Sequence, residues 1–370
     1  MKSIYYLIFL PAVFFIFSCG NNENEKKDSG DVPVEYELPL KYATHFKVFK
    51  SGEDFRVEII GDNKIVQEFV VSYAPQNKNI IKIPFEKIVA TSTTHLGFFE
   101  ILNSRESIVG FPNTKFISDS VLHNLAINGK IAELGTAEAL NLEKLFDLNP
   151  DIVFDFPNLR AQGQTKELHK VGIKSIFITE FYEENTLGKV EWIKLFGLLM
   201  GKEELANKEF EKIEKNYLEL KNTIKKKDIK PKVLSGIMFG DAWYAPGGNS
   251  FAVKMYENAG ASYVWSSDTT SGSKSFSFEK VFEDAIDADY WIGVGGKKSL
   301  DDLLSSNTKY SLFKAFKDKN VYSYGGLTPW GANSYFEMGV LRPDVVLKDL
   351  TIIFDPKADK ENLVYYKKLK

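Results

Sequence analysis

Glu203 to Lys226 reads EELANKEFEKIEKNYLELKNTIKK, and the fold is organised around this stretch. Leu205, Phe210, Ile213, Tyr217, Leu220 and Ile224 recur at steps of three, four or five with charges between them, the pattern of a helix with one apolar stripe. No Gly or Pro interrupts it. At 1.5 Å per residue the helix would be roughly 36 Å long, comparable to the width of a domain. The sequence on both sides alternates short strands with helices, so the helix is expected to act as a strut between two α/β lobes.

Upstream, Lys87 to Thr91 is a short apolar strand, followed by Ser92-Thr93-Thr94-His95 and an apolar helix through Leu102. Further βα units follow: strands at 107–111, 151–156 and 174–179, and helices at 141–148 and 164–172. Downstream, 232–239 reads as a strand, then GDAWYAPGGNSF at 240–251, a helix to Asn258, a helix at 278–287, strands at 288–295 and 320–326, and a long final helix from 333 to 354. Strands alternating with helices predict mostly parallel sheets covered on both faces. The expected fold is therefore α/β, two Rossmann-like lobes joined by one long helix.

Before the first lobe, 45–49, 55–60 and 65–71 alternate as strands, separated by Ser51-Gly52 and Gly61-Asp62-Asn63. They predict a small antiparallel β appendage packed on that lobe, in which His45 is a hydrogen-bonded structural residue. Earlier still, Lys2 precedes an apolar run from Ile4 to Phe17 and then Ser18-Cys19-Gly20. The run is too short to span a bilayer and reads as a secretion signal. Cys19, the single cysteine, follows it as in the bacterial lipobox, in which the thiol is acylated and the chain is cut before it. The polar stretch from Asn21 to about Tyr36 is a tether. The segments are thus 1–18 signal, 19–40 lipidated Cys and tether, 41–85 appendage, 86–188 first lobe, 189–228 connecting helices with the strut, 229–355 second lobe and 356–370 tail.

Composition excludes several classes. The net charge of −3 with scattered basic residues argues against a nucleic-acid partner. The four histidines lack the spacing that puts two metal ligands on one helical face, so no metal site is expected. There is no G-x-S-x-G, no H-E-x-x-H and, after lipidation, no usable thiol, so the chain is read as a non-enzyme, with an extracytoplasmic hydrolase as the weaker reading.

Ligands of parallel sheets bind beyond the carboxyl ends of strands. In the first lobe Thr94, His95, Phe156, Arg160 and the segment around Phe181 and Tyr182 lie there; Arg160 is one of four arginines, with a fork suited to carboxylate or phosphate. In the second lobe Trp243 and Tyr244 read as the rim of a site, joined by Trp330, Asn333 and Tyr335 in TPWGANSYFEMG. The lobes also match in detail. LEKLF at 142–146 precedes Asp151 and a buried strand, and FEKVF at 278–282 precedes Asp289 and another, which makes Glu143 and Glu279 equivalent carboxylates near helix N-termini. Two negative marks on one end suit a docking surface with basic partners.

The lipobox, the two lobes on one helix, NLEKLFDLNPDIVF, SFSFEKVFEDAIDADYWI, WYAPGGNSF and the RPDVVLKDL helix, in this order from Ile88 to Asp355, resemble the substrate-binding lipoproteins of bacterial ABC importers for ferric siderophores, haem and cobalamin. The resemblance implies a monomer, anchored by its lipid on the periplasmic or cell-surface side of a bacterial membrane, that captures an iron complex or cobalamin between the lobes. It would deliver this cargo to a permease and ATPase complex through Glu143 and Glu279, and it would have no cofactor of its own, any iron or cobalt belonging to the ligand. A binder of a free transition-metal ion is the alternative within the class. The appendage is similar to that of a longer subgroup of lipoproteins from Bacteroidetes-like bacteria.

Overall fold

The computed structural model describes residues 34–61, 64–137, 139–156, 168, 170, 172–224 and 229–370. Its first sheet runs β1 (Tyr36–Glu37), β2 (Phe46–Ser51), β3 (Asp54–Ile60), β4 (Ile65–Ser72) and β5 (Ile81–Lys82), each bonded to the next. β1 to β4 are antiparallel, and β5 joins β4 in parallel. Along β3 the buried residues are Phe55, Val57 and Ile59, every second position, as a sheet with one covered face requires. That face shares a single core with the first lobe, Phe46 and Val57 packing in one cluster with Ile88, Phe99 and Trp192.

The first lobe contains β6 (Ile88–Ala90), α1 (Thr93–Ile101), β7 (Ile108–Phe111), α2 (Ser120–Ile127), β8 (Ala132–Glu133), a hairpin of β9 (Gly135–Thr136) and β10 (Ala139–Leu140), α3 (Leu142–Leu148), β11 (Ile152–Asp155) and β12 (Ser175–Phe177). Its sheet has the order β12-β11-β6-β7-β8, parallel throughout. The helices start where the sequence supplies a cap: Ser92, Asp119 and Asn141 accept the N–H of Thr94, Leu122 and Lys144. Arg160 and most of the predicted helix at 164–172 lie outside the described residues, Leu168 and Lys170 being described and helical; the signal, Cys19 and most of the tether lie outside them too.

Three helices follow, α4 (Thr186–Glu191), α5 (Ile193–Met200) and α6 (Glu203–Thr223). Gly201, at φ +64°, ends α5 and turns the chain into α6. The strut α6 has 21 residues, ending at Thr223 instead of Lys226, and buries Phe210, Ile213 and Tyr217 of the predicted stripe together with Ala206 and Glu214. Its length is about 31 Å.

The second lobe contains β13 (Lys232–Ser235), β14 (Ile237–Phe239), β15 (Ala242–Pro246), α7 (Phe251–Asn258), β16 (Ser262–Tyr263), β17 (Ser273–Phe276), α8 (Phe278–Ala285), β18 (Tyr290–Ile292), α9 (Leu300–Ser306), α10 (Lys314–Lys317), β19 (Val321–Tyr324), α11 (Pro343–Ile353) and β20 (Tyr366–Lys368). The main sheet has the order β16-β13-β18-β19-β20, with only β20 antiparallel; β14-β15-β17 form a separate antiparallel sheet. The strut packs on α5 and on α11, and so touches both lobes.

Three expectations are corrected here. The strand at 232–239 is two strands in two sheets, broken at Gly236, whose φ of +88° and 1.9 Å approach of a would-be Cβ to the Tyr244 carbonyl admit only glycine. The final helix starts at Pro343 and not near Asn333, because proline sits readily at a first helical position and disfavours helix at the residue before it. The supposed tail carries β20, which pairs with β19 as the edge strand of the lobe.

Candidate functional site

A cavity of about 530 Å³ opens beyond the carboxyl ends of β13, β18 and β19, where Ser235, Gly236, Gly293 and Tyr324 form its floor. Second-lobe walls come from Tyr244, Phe251, Tyr335 and Phe336. The opposing wall, Phe181 and Tyr182, follows β12 of the first lobe, with Lys189 of α4 beside it. The volume falls in the range of small-molecule sites, and the place is the one that parallel-sheet geometry favours.

The rings are organised in two sets. On one side Phe156, Phe181 and Tyr182 follow one another at centroid distances of 4.7 and 4.3 Å. On the other, Tyr324 lies 4.4 Å from Tyr335 and 5.0 Å from Phe336. Among the described residues that line the cavity, Lys189 is the single charged one. Burial pushes its ammonium down to about 8, against the opposing pull of Glu180 and Glu183. Its Nζ donates to the Glu180 carbonyl at 2.9 Å, which leaves N–H capacity for a ligand.

Behind this wall Thr94 and Glu180 form a supporting layer. Thr94 Oγ1 donates to Glu180 Oε1 at 2.7 Å, while Glu180 Oε2 is buried without a hydrogen-bond partner. Burial holds the Glu180 carboxyl above its ordinary value, although Lys189 pulls it down. Thr94 therefore supports the cavity without lining it.

Of the residues singled out in the sequence, Tyr244, on β15, and Tyr335 line the cavity. The other expected ligand residues stand elsewhere. Trp243 is fully buried, stacks on Trp291 at 5.2 Å and donates its indole N–H to the Ser235 carbonyl at 2.9 Å. It shares a strand with Tyr244, and successive strand residues point to opposite faces, so only one of the two can reach the rim. His95 is also in the core, 6.5 Å from both Phe156 and Phe196. Neither ring nitrogen makes a hydrogen bond of full geometry, and burial drives the imidazole down to about 3, only partly offset by the Phe154 carbonyl. His95 is thus a neutral core histidine and not one of the residues that line the cavity.

Trp330 belongs to a clasp between the lobes, and Asn333 to the turn that follows it. Trp330 lies on His123 at 3.9 Å and 5°, and its indole N–H reaches the Ile117 carbonyl at 2.8 Å. Asn333 Oδ1 accepts the Tyr335 N–H at 3.0 Å, which makes it a turn residue. Close by, the Glu337 carboxylate accepts the N–H groups of Ser118 and Asp119 at 2.7 and 2.8 Å. Arg160 lies outside the described residues, so its place in the site is not defined.

Lys189, Phe251, Tyr324 and Phe336 are cavity residues that the sequence did not single out. A rule applied to every strand end would have found Tyr324, which closes β19 just before Gly325-Gly326. Lys189 carries no such signal, because a lysine on a helix reads as a solvated side chain.

Glu143 and Glu279 take the same place in the two lobes. Each is the second residue of its helix, α3 or α8, each is exposed, and each follows a cap, Asn141 or Ser277, whose side chain accepts the N–H three residues on. Among the described residues no three His, Cys, Asp or Glu side chains are grouped to hold a metal ion, and no helix is long and apolar enough to cross a membrane.

The family model described as periplasmic binding protein matches residues 88–326, which takes in parts of both lobes and leaves the appendage outside. An uncharacterized lipoprotein of Methanocaldococcus jannaschii, MJ0878, is 27% identical over 333 residues, covering 87% of this chain and 77% of its own. The periplasmic heme-binding protein HutB of Vibrio cholerae is similar in structure, with a TM-score of 0.57 at 16% identity over 73% of this chain and 100% of that one. The periplasmic vitamin B12-binding protein BtuF of Vibrio cholerae has a TM-score of 0.52 at 10% identity over 73% of this chain and 97% of that one.

Proposed function

The chain belongs to the periplasmic binding protein family, and from that premise we propose that it captures a metal chelate, a ferric siderophore, haem or cobalamin, between its lobes and hands it to an ABC importer. The observation that carries this reading is the cavity itself: two sets of aromatic faces opposed across the gap and, among the described residues, one cation beside the first-lobe set. Flat ring faces suit the periphery of a large conjugated or amide-rich chelate, and a lone ammonium suits one anionic substituent on it. The aromatic faces of the cavity suit the outside of a chelate, and any metal would then travel inside it as cargo. Titrating the purified chain with haemin, cyanocobalamin and a ferric catecholate, followed by quenching of intrinsic fluorescence, tests the reading. Saturable micromolar or tighter binding of one of them is expected, and no binding of any would overturn it.

Delivery is assigned to the paired Glu143 and Glu279. Their matched positions present two carboxylates from two helix starts, which fits two basic pockets on a permease. Lipidation at Cys19 would hold the protein at the membrane surface as a monomer, with the polar tether setting its reach.

A further inference from the structure

We infer that the N-terminal sheet is part of the ligand site: it holds the first-lobe wall of the cavity in place by gripping residues 179–191, and His45 positions Tyr182. The inference rests on the reading above, since this is the wall offered to the cargo. Phe181, Tyr182 and Lys189 all face the cavity, and all lie within that segment. The segment is bonded along its length to the chain between Lys41 and Ile60. Thr179 Oγ1 donates to the Ile60 carbonyl at 3.1 Å. The Glu183 carboxylate accepts the N–H groups of Thr44 and His45 at 3.0 and 2.9 Å, together with the Trp192 indole N–H at 3.0 Å. Glu191, with a fully buried side chain, accepts those of Lys41, Tyr42 and Ala43 at 2.7 to 3.0 Å. Charge-assisted bonds of this kind are the strong, directional ones.

The sheet also reaches the strand that leads into the wall. Gln67 on β4 donates to the Ser175 carbonyl at 2.6 Å and accepts the Phe177 N–H at 2.8 Å, so its amide occupies the edge of β12 as another strand would.

His45 carries the grip to the cavity. Its ring stacks on Tyr182 with centroids 5.6 Å apart and 25° between planes, and Nδ1 lies 3.0 Å from the Ile60 carbonyl, which fixes it as the donor nitrogen. Tyr182 is thus held between His45 on one side and Phe181 on the other. A wall ring fixed before the ligand arrives avoids an ordering cost at binding. A sheet that served only to cover the lobe edge would need Gln67 but not the carboxylates and the ring placed on the cavity segment.

The test compares His45→Ala with His45→Phe, which keeps a stacking face, and with Arg56→Ala on β3, whose guanidinium pairs with Glu35 and Glu58 away from the cavity. The clamps of Glu183 and Glu191 use the backbone of 41–45 and survive all three changes. Haemin affinity and backbone hydrogen exchange are read together. Losing one ring stack should weaken haemin roughly threefold to tenfold and speed exchange at 180–191. H45F should restore both, and R56A should change neither. H45A with wild-type affinity and wild-type exchange would overturn the inference. If the wild-type chain takes no haemin, the reading of haem as cargo fails, and the exchange comparison still decides this one: faster exchange at 180–191 supports it, unchanged exchange overturns it. Should H45A not fold, His45→Leu, which keeps bulk without a face, replaces it with the same expectations.

Discussion

Replacing Glu100 by Gln should stabilise the protein most above pH 7, with a gain that shrinks as pH falls and disappears below about pH 4. Glu100 ends α1 beside the clasp, where its carboxylate meets Arg105 at 3.1 Å, and Arg105 also holds Asp119 at 2.9 Å. Glu337, held by the Ser118 and Asp119 N–H groups, adds a third carboxyl to a corner where the one guanidinium pairs with Glu100 and Asp119. Burial first, and then the Asp119 charge, raise Glu100 to about 7, with Arg105 opposing. The folded state therefore binds a proton that the unfolded chain has already released, and stability falls as pH rises from the ordinary carboxyl value to about 7. Every pH unit by which the folded carboxyl titrates above the unfolded one is worth about 1.4 kcal/mol, so the full cost would be ~3 kcal/mol, and partial solvent contact of the side chain together with the lost pairing to Arg105 reduces the expected gain to ~1–2 kcal/mol. In a chain of this size that is a rise of roughly 1–3 °C in Tm at pH 8. Thermal melts of wild type and E100Q at pH 5, 6.5 and 8 measure it. A difference that stays constant with pH, or a variant less stable at pH 8, would refute the argument.

Three further outcomes are expected. Lys189→Met should weaken haemin about tenfold and abolish a loss of affinity that the wild type shows as pH climbs past 8, where the depressed Lys189 ammonium gives up its charge; parallel titrations at pH 7 and 9 check both. Trp243→Phe should lower stability by about 2 kcal/mol through its lost bond to the Ser235 carbonyl and lost packing on Trp291 while haemin affinity holds, whereas Tyr244→Ala should weaken haemin with the melting temperature unchanged. Glu143→Ala with Glu279→Ala should cut transport in proteoliposomes holding the cognate importer by at least about tenfold, a loss that one or two broken ion pairs can produce, and leave haemin affinity intact; reduced affinity with normal transport would refute the docking role.

What was legible in the sequence follows from the reach of each signal. Periodicity acts over a few residues, so the strut, the alternating lobes and the one-sided β3 could be read directly, and the equivalence of Glu143 and Glu279 emerged from two copies of one local pattern. Tyr244 and Tyr335 were found because strand ends and glycine-bearing loops mark cavity rims. Trp243 was misplaced although the remedy is local, since period-two alternation forbids it from sharing a face with Tyr244. Trp330 was misplaced for a different reason. Its partner, the Ile117 carbonyl, is 213 residues away in the other lobe, and no local pattern encodes such a contact. His95 sits one residue after the supporting Thr94, and a quarter turn of helix separates a residue that reaches Glu180 from one sealed among phenylalanines.

The clasp bears on how capture works. A hinged binder closes its lobes over the ligand, but here any opening must bend α6, which carries no Gly or Pro, or part it from α5 or α11, on both of which it packs. In either case it must also free the Glu337 carboxylate from Ser118 and Asp119 and lift Trp330 off His123. Two charge-assisted bonds at about 1.5–3 kcal/mol each set a cost of ~3–6 kcal/mol before the strut is strained. At tenfold per 1.4 kcal/mol the opened form would be below about 1% of the population. Cargo must then enter a cavity already formed, and its selection falls to the positions of the wall rings and Lys189. Those positions depend on the segment that the N-terminal sheet grips, so in this chain the sheet, and not a lobe rotation, sets the shape that the ligand meets.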